Sequence, residues 1–234
     1  MSELKALVIQ HEQPTPGGYV NQWLAERGAG QDVFRIDIEE RAVDPRDYDL
    51  IVSLGSEFAA FDDIPWIRRE ELMLREAAEA DVPILGVCFG GQLLAKALGG
   101  DAFRSDKSEI GWLPVRTHDE SLVPSGPWFQ WHFDSFTLPE GANLIADSDV
   151  GPQAYTIGRS LGTQFHPEVT PDIMEAWVEA YPHELEQEGV DPQGLLDETH
   201  ARAKETRAAA WRLFDSFLSR IAGHGHAKEA VGGG

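Results

Sequence analysis

The sequence has little cysteine, little positive charge and no long hydrophobic run. Its 234 residues contain one cysteine, Cys88, which excludes an internal disulfide framework and a zinc or iron–sulfur site built from several cysteines. No apolar stretch approaches the roughly 18–20 residues that cross a bilayer. Residues 1–13 lack the basic and apolar regions of a secretory signal. These absences lead us to expect a cytoplasmic protein, in keeping with a reducing compartment.

Acidic residues outnumber basic residues by 40 to 19, which gives a formal net charge of −21. A surface this acidic repels phosphate groups, so we expect neither a nucleic-acid partner nor a membrane partner. The sequence also contains no P-loop and no glycine-rich phosphate cradle. It therefore predicts no cofactor and no metal site.

Apolar residues make up 42% of the chain, enough for a sizeable core. Strand-like runs and helical spacings alternate in the first hundred residues. The strand-like runs lie at 4–10, 32–38, 48–56 and 83–88, and the helical spacings at 19–28, 64–82 and 90–100. This alternation is typical of an α/β protein with a mainly parallel central sheet flanked by helices.

The later part of the chain has a different texture. Short strands separated by turn residues over 111–165 predict an antiparallel meander that extends or abuts the main sheet. Helical patterns follow at 171–181 and 195–223. We expect one domain over residues 1–223 and a disordered tail over 224–234.

The stretch "VPILGVCFGGQLLAKALGG", residues 82–100, places the cysteine between a strand and a helix. Gly86 and Gly90 lie two residues before and two residues after Cys88, as in the sharp turn that raises a nucleophile above a sheet. The free N–H groups at the start of the helix favour a thiolate. A lone cysteine after an apolar strand is also commonly a small buried core residue. This stretch alone leaves both interpretations open.

A thiolate nucleophile needs a base and a residue that orients the base. His166 ends a strand-like run, Pro167 stops that strand, and Glu168 lies two residues beyond the imidazole. His166 and Glu168 form a nucleophile–base–orienter set with Cys88, although Glu168 also suits the first turn of a helix. Apart from His132, the other histidines are expected on a solvated surface. These are His11, His118, His183, His200, His224 and His226.

"GVCFGGQLLAKALGG" and "GTQFHPEV" resemble the two signatures of the class I, triad-type glutamine amidotransferases. The resemblance extends from about residue 5 to 180, and the chain is similar to stand-alone proteins that look like the glutaminase domain of GMP synthase. It implies a flavodoxin-like fold. It also implies that Cys88 attacks the side-chain amide, that His166 moves the proton and that Glu168 orients His166. The backbone N–H groups of Gly55 and Phe89 would form the oxyanion hole.

The resemblance also implies contacts with a small-molecule substrate. Gln92 matches the family glutamine that helps to hold the amino-acid end of the substrate. Trp131 and His132 lie in "WHFDSF", similar to a segment near the glutamine pocket in related sequences. Alternatively, Trp131 belongs to the core and His132 is a packing histidine.

Two departures from the family pattern stand near the predicted site. Gly91 occupies the position at which relatives usually carry histidine. The turn after the third strand reads Leu54-Gly55-Ser56-Glu57 rather than Gly-Gly-Pro, and Glu57 adds a negative charge beside the cleft. These departures leave the predicted triad complete but change the surroundings of the substrate.

The predicted reaction is hydrolysis of glutamine or a γ-glutamyl amide through a γ-glutamyl thioester. One alternative is a glutaminase subunit that delivers ammonia to a separate synthetase chain, and another is a γ-glutamyl peptidase. Two further hypotheses belong to other functional classes. One is a redox or chaperone-like protein that has a cysteine elbow, and the other is a non-catalytic interaction subunit. Neither of these two requires the complete Cys88, His166 and Glu168 set.

Overall fold

The fold is known from a computed structural model that describes residues 4–223. The tail that the sequence predicts to be disordered, 224–234, lies outside the described residues, as do His224 and His226. Within residues 4–223, no helix combines the length and the apolar character that a membrane span requires.

An eight-stranded sheet forms the centre of the structure, in the order β2-β1-β3-β4-β10-β9-β8-β6. The first five strands in this order are parallel to one another, and the last three alternate antiparallel. The strands are β1 (Lys5–Gln10), β2 (Gly30–Arg35), β3 (Leu50–Ser53), β4 (Ile84–Val87), β6 (Arg116–Thr117), β8 (Asn143–Asp147), β9 (Pro152–Ile157) and β10 (Ser160–Thr163). The predicted mainly parallel sheet is confirmed.

Helices cover both faces of the sheet, which is why its parallel strands are nearly continuous apolar runs. Along β1, Val8 packs into one core cluster with α1 and α6, and Leu7 packs into a second cluster with α2 and α3. The helices are α1 (Gly18–Glu26), α2 (Pro65–Glu79), α3 (Phe89–Ala97), α4 (Pro171–Ala180), α5 (Pro182–Glu188) and α6 (Pro192–Ser216).

A two-stranded antiparallel ribbon stands apart from the main sheet. It consists of β5 (Asp101–Leu113) and β7 (Trp128–Thr137), with a change of register between Arg104 and Glu109. The predicted meander is therefore divided, because β8 and β9 extend the main sheet and β7 belongs to the ribbon. The first part of β5 escaped prediction because residues 101–108 are largely exposed and polar, and so show no apolar alternation.

Candidate active site

The ends of three adjacent strands bring the predicted residues together. β3, β4 and β10 are neighbours and run parallel, so their carboxyl ends meet at one edge of the sheet. Gly55 follows β3, Cys88 follows β4 and His166 follows β10. A Cβ built on Gly55 would lie 3.0 Å from His166 Cε1 and 3.9 Å from Cys88 Cβ. The three residues therefore converge at a single point.

Cys88 occupies a sharp turn between β4 and α3. Its φ of 50° and ψ of −110° are rare for a residue other than glycine. Glycine is required on both sides, because a Cβ on Gly86 would lie 2.6 Å from Gly90 O and a Cβ on Gly90 would lie 2.2 Å from Ser53 O. The Cys88 N–H donates to Thr163 O at 2.8 Å, which ties the turn to β10. The geometry is that of a strained strand–turn–helix elbow.

Gly91 is explained by the close approach of β10 to α3. A Cβ at this position would lie 2.5 Å from Thr163 O. The carbonyl oxygen of Gly91 accepts a hydrogen bond of 2.8 Å from the Tyr155 hydroxyl. The absence of the usual histidine side chain therefore coincides with a tight contact between the helix and the sheet.

His166 and Glu168 form a buried pair beside the elbow. His166 is 3% exposed and Glu168 is 2% exposed, and His166 Nδ1 lies 2.7 Å from Glu168 Oε1. Nδ1 therefore carries the proton, and Nε2 has no hydrogen-bond partner among residues 4–223. Burial lowers the pKa of His166, but the charges of Glu168 and Cys88 raise it by more, to about 10. The site thus favours a protonated His166 beside the carboxylate of Glu168.

Gly55 and Phe89 line the same cavity as Cys88. Neither the Gly55 N–H nor the Phe89 N–H donates a hydrogen bond within the described part of the chain. Phe89 is the first residue of α3, where N–H groups are free and the helix dipole is positive. These two groups are available to a developing negative charge, as an oxyanion hole requires.

The thiol opens into a cleft whose empty space, open solvent included, is about 640 Å³. Cys88 and His166 contribute to its floor. The other lining residues are Thr15, Gly55, Ser56, Glu57, Phe58, Phe89, Gln92, Arg104, Trp131, His132, Phe133, Asp134, Trp177, Tyr181 and Glu184.

Gln92 and Trp131, two of the predicted substrate contacts, line this cavity. Gln92 Nε2 lies 3.3 Å from Asp134 O and 3.2 Å from Gln164 Oε1. Trp131 Nε1 donates to Glu184 Oε2 at 2.6 Å. The Nε2 of Gln92 and the Nε1 of Trp131 are thus held by the protein, and contact of either side chain with a substrate stays a prediction.

His132 also lines the cavity but belongs to a buried network of polar side chains. Its Nδ1 lies 3.1 Å from Asp134 O, and its Nε2 lies 3.0 Å from Glu109 Oε2. Gln153 and Ser148 donate to the same oxygen of Glu109. Because both ring nitrogens have protein partners, the arrangement favours a packing role for His132, and its contact with a substrate stays a prediction.

The mouth of the cavity is acidic. Burial and then the negative charges of Glu12, Glu57 and Glu184 raise the pKa of Tyr181. Arg104, a cationic side chain of the lining, is paired with Asp134 at 3.2 Å. A positively charged substrate group is therefore better matched to this mouth than a negatively charged one.

Sequence reasoning did not single out Trp177, which covers the base. Its ring meets the ring of His166 edge-on, with centroids 4.9 Å apart and an interplanar angle of 75°. Trp177 Nε1 donates to Pro14 O at 2.6 Å, which fixes the indole. The sequence does contain one feature that could have identified Trp177. It lies in the first helix after His166, and that helix must pack near the predicted base.

The expectation that His11 is solvated is wrong. His11 is 0% exposed, and its ring nitrogens contact Glu70 Oε2 at 2.7 Å and Gly55 O at 3.0 Å. It is buried because it follows β1, the strand next to β3, at the edge of the sheet where the other site residues lie. His118, His183 and His200, which were also expected on the surface, are exposed.

Comparisons with known proteins agree with this geometry. The family model described as glutamine amidotransferase class-I matches residues 19–179. A γ-glutamyl peptidase 5 of Arabidopsis thaliana is 30% identical over 178 residues, which cover 68% of this chain and 70% of the peptidase. A glutamine-hydrolysing GMP synthase subunit of Sulfurisphaera tokodaii is 31% identical over 134 residues, which cover 53% of this chain and 69% of that protein.

The fold has a close counterpart among solved structures. A glutamine amidotransferase of Thermotoga maritima superposes with a TM-score of 0.84 at 29% identity, covering 93% of this chain and 99% of that one. By contrast, the chain spans 20% of the GMP synthase of Aquifex aeolicus and 31% of that of Vibrio vulnificus.

Proposed function

We propose that this chain, which belongs to the class I glutamine amidotransferase family, hydrolyses the side-chain amide of glutamine or of a related γ-glutamyl compound. The observation that carries the proposal is the convergence of Cys88, His166 and the free N–H of Gly55 at the floor of one cavity. A nucleophile, a base and an oxyanion donor at one point are what acyl transfer requires.

In the acylation half of the reaction, the Cys88 thiolate attacks the γ-carbonyl carbon. The carbonyl oxygen becomes an oxyanion that accepts hydrogen bonds from the N–H groups of Gly55 and Phe89, each worth about 3 kcal/mol of barrier lowering. His166 gives its Nε2 proton to the amide nitrogen. The carbon–nitrogen bond then breaks, ammonia or an amine leaves, and a γ-glutamyl thioester remains on Cys88.

In the hydrolytic half, a water molecule attacks the thioester carbonyl. His166 Nε2 takes a proton from that water, and the same two N–H groups stabilise the second oxyanion. The carbon–sulfur bond breaks, the thiolate of Cys88 is regenerated beside the imidazolium, and glutamate is released. Glu168 holds Nδ1 throughout, so that Nε2 faces the reacting atoms.

A free-standing hydrolase is the form of this activity that we propose first. The γ-glutamyl peptidase is matched over 70% of its length, whereas the two bacterial GMP synthases are matched over 20% and 31%. The 234 residues carry no P-loop or glycine-rich phosphate cradle with which to activate an ammonia acceptor. Proton transfer and thioester chemistry need only residues of this chain.

The test is release of glutamate by the purified chain from glutamine, γ-glutamyl dipeptides and γ-glutamyl amines. We expect turnover of at least one class and its loss in Cys88→Ala, with an unchanged thermal melt. Cys88→Ser is the matched variant, since it keeps a hydroxyl at the same position but is a far weaker nucleophile. Turnover by Cys88→Ala at the wild-type rate would overturn the mechanism.

A second candidate function is that of a subunit which supplies ammonia to a separate synthetase chain. It is favoured by the match to 69% of a protein named as a GMP synthase subunit. Such a protein would show little turnover alone but would be labelled at Cys88 by an electrophilic glutamine analogue such as a diazoketone. Labelling without turnover supports this candidate, labelling with rapid turnover supports the free hydrolase, and absence of both indicates a non-catalytic subunit.

A further inference from the structure

A chain of buried polar groups connects the end of β1 to the turn that carries Gly55. His11 and Glu70 are both 0% exposed, and His11 Nε2 lies 2.7 Å from Glu70 Oε2. Ser53 Oγ donates to the other oxygen of Glu70 at 2.7 Å. His11 Nδ1 lies 3.0 Å from Gly55 O, which can only accept, so Nδ1 carries a proton. The proposed mechanism gives none of these side chains a role.

We propose that His11 is a positioning residue for the oxyanion hole, holding the Gly55 turn so that the Gly55 N–H points at the reacting oxygen. The inference rests on the proposed amide hydrolysis and on Gly55 as an oxyanion donor. Because Gly55 has no Cβ, steric restriction alone does not fix the direction of its N–H. That direction depends on hydrogen bonds to the peptide groups on either side.

Both peptide groups are held. On the side before Gly55, Leu54 O accepts from the Gly90 N–H at 3.0 Å. On the side after it, Gly55 O accepts from His11 Nδ1. Loss of the His11 bond would release the Gly55–Ser56 peptide plane. The plane that carries the Gly55 N–H would then be held only by the Gly90 N–H, on one side of a glycine that restricts rotation little.

His11 also contacts the second oxyanion donor. Its ring lies 4.7 Å from the ring of Phe89, centroid to centroid, at 63°, and Trp66 stacks on it at 5.3 Å and 27°. The next residue, Glu12, accepts a hydrogen bond of 2.5 Å from Ser56 Oγ. The end of β1 therefore holds consecutive residues of the oxyanion turn and packs against the start of the elbow helix.

The charge state of the pair explains why the ring has one orientation. Burial lowers the pKa of His11, but the Glu70 carboxylate, the Gly55 carbonyl and the charge of Glu12 together raise it above its ordinary value. A doubly protonated ring donates from both nitrogens, one bond to Glu70 and one to Gly55, and any rotation breaks both. An unpaired buried carboxylate is costly, which keeps the imidazolium in place.

Three substitutions of His11 separate its two bonds. In His11→Asn the amide nitrogen lies near the position of Nδ1 and keeps the donor to Gly55. In His11→Gln it reaches the position of Nε2 and keeps only the donor to Glu70. His11→Phe removes both donors.

We expect His11→Gln and His11→Phe to lower kcat for a γ-glutamyl anilide by about 10- to 100-fold with little change in KM, as a displaced oxyanion donor should. His11→Asn should recover most of that loss. Alkylation of Cys88 by iodoacetamide should proceed at the wild-type rate in all three, because displacement of iodide creates no oxyanion. A general structural defect would slow alkylation as well.

His118→Gln is the matched control, since His118 is exposed and its Nε2 lies 2.7 Å from an oxygen of Asp147. It should keep the wild-type kcat. If the His11 variants fail to fold by thermal melt, Ser53→Ala takes their place, because it removes a hydrogen bond to Glu70 and should give a smaller fall in kcat with normal alkylation.

Two results would overturn the inference alone: a wild-type kcat in His11→Gln, or equal losses of kcat and of the alkylation rate. A wild-type chain that hydrolyses none of the γ-glutamyl substrates would overturn the proposed function, and this inference with it. The wild-type assay therefore tells the two failures apart.

Discussion

His166 and Glu168 are separated by one residue, and their side chains meet at 2.7 Å between Nδ1 and Oε1 with almost no exposure to solvent. Pro167 makes this possible, because it ends the extended chain and turns the carboxylate back toward the ring. Because the buried carboxylate of Glu168 occupies Nδ1 through a hydrogen bond, Nε2 is the ring nitrogen left to exchange a proton with Cys88 in the proposed mechanism. The pair therefore sets both the orientation and the charge of the imidazole that we propose as the base.

The first prediction concerns this carboxylate. Glu168→Gln keeps the volume of the side chain but removes the charge that holds the imidazolium, so we expect kcat to fall by about 100-fold with a small change in KM. Steady-state release of glutamate measures it. Glu175→Gln is the matched control, because its carboxylate lies 3.1 Å from His200 on the surface. An undiminished kcat in Glu168→Gln would contradict the assigned role.

The second prediction concerns stability and pH. The folded-state pKa of His166, about 10, lies above the ordinary value of about 6.5, so its protonation stabilises the fold fully below pH 6.5, and this contribution is lost as the pH rises toward 10. We expect the free energy of unfolding in urea to fall between about pH 7 and pH 9.5. The slope should be smaller in Glu168→Gln. Parallel slopes in the two proteins would be evidence against a charged pair.

The third prediction concerns the leaving group. The acidic mouth should favour a cationic γ-glutamyl diamine over an anionic γ-glutamyl dipeptide, as measured by kcat/KM. The preference should shrink when ionic strength rises from about 0.01 M to about 0.15 M, because salt screens exposed charges. Glu57→Gln should reduce the preference and Glu205→Gln, on α6, should not. A preference for the dipeptide at low salt would refute this interpretation of the mouth.

The fourth prediction concerns the elbow glycines. Gly90→Ala places a methyl group 2.2 Å from the backbone oxygen of Ser53, and we expect it to lower the free energy of unfolding by about 1–3 kcal/mol. Gly30→Ala is the control, because the nearest atom to its Cβ would be Leu4 O at 3.9 Å. Urea unfolding compares the two. Equal stability of both variants would show that the elbow relaxes more easily than its contacts indicate.

The elbow could be predicted from sequence because its signals are local. An apolar run, a cysteine and glycines at fixed offsets determine the strand, the turn and the helix within a few residues of one another. His166, which follows β10, was found in the same way, from its proline and carboxylate neighbours.

His11 could not be predicted because its environment is tertiary. Its burial depends on β1 lying beside β3 and on Glu70 arriving from α2, neither of which is visible in the residues around it. The polar start of β5 was missed for a different reason, since residues 101–108 are largely exposed and therefore show no apolar alternation. Trp177 resembled any core tryptophan of an amphipathic helix.

The position of β10 in the sheet has a consequence for synthesis of the chain. β10 lies between β4 and β9, so the elbow gains its last neighbour, and the thiol its base, from a segment made long after Cys88. Domains generally fold as units during synthesis, so the elbow and the segment 160–168 come together only once that segment has been made. On the proposed mechanism, the reactive site is therefore complete only after this late strand has docked.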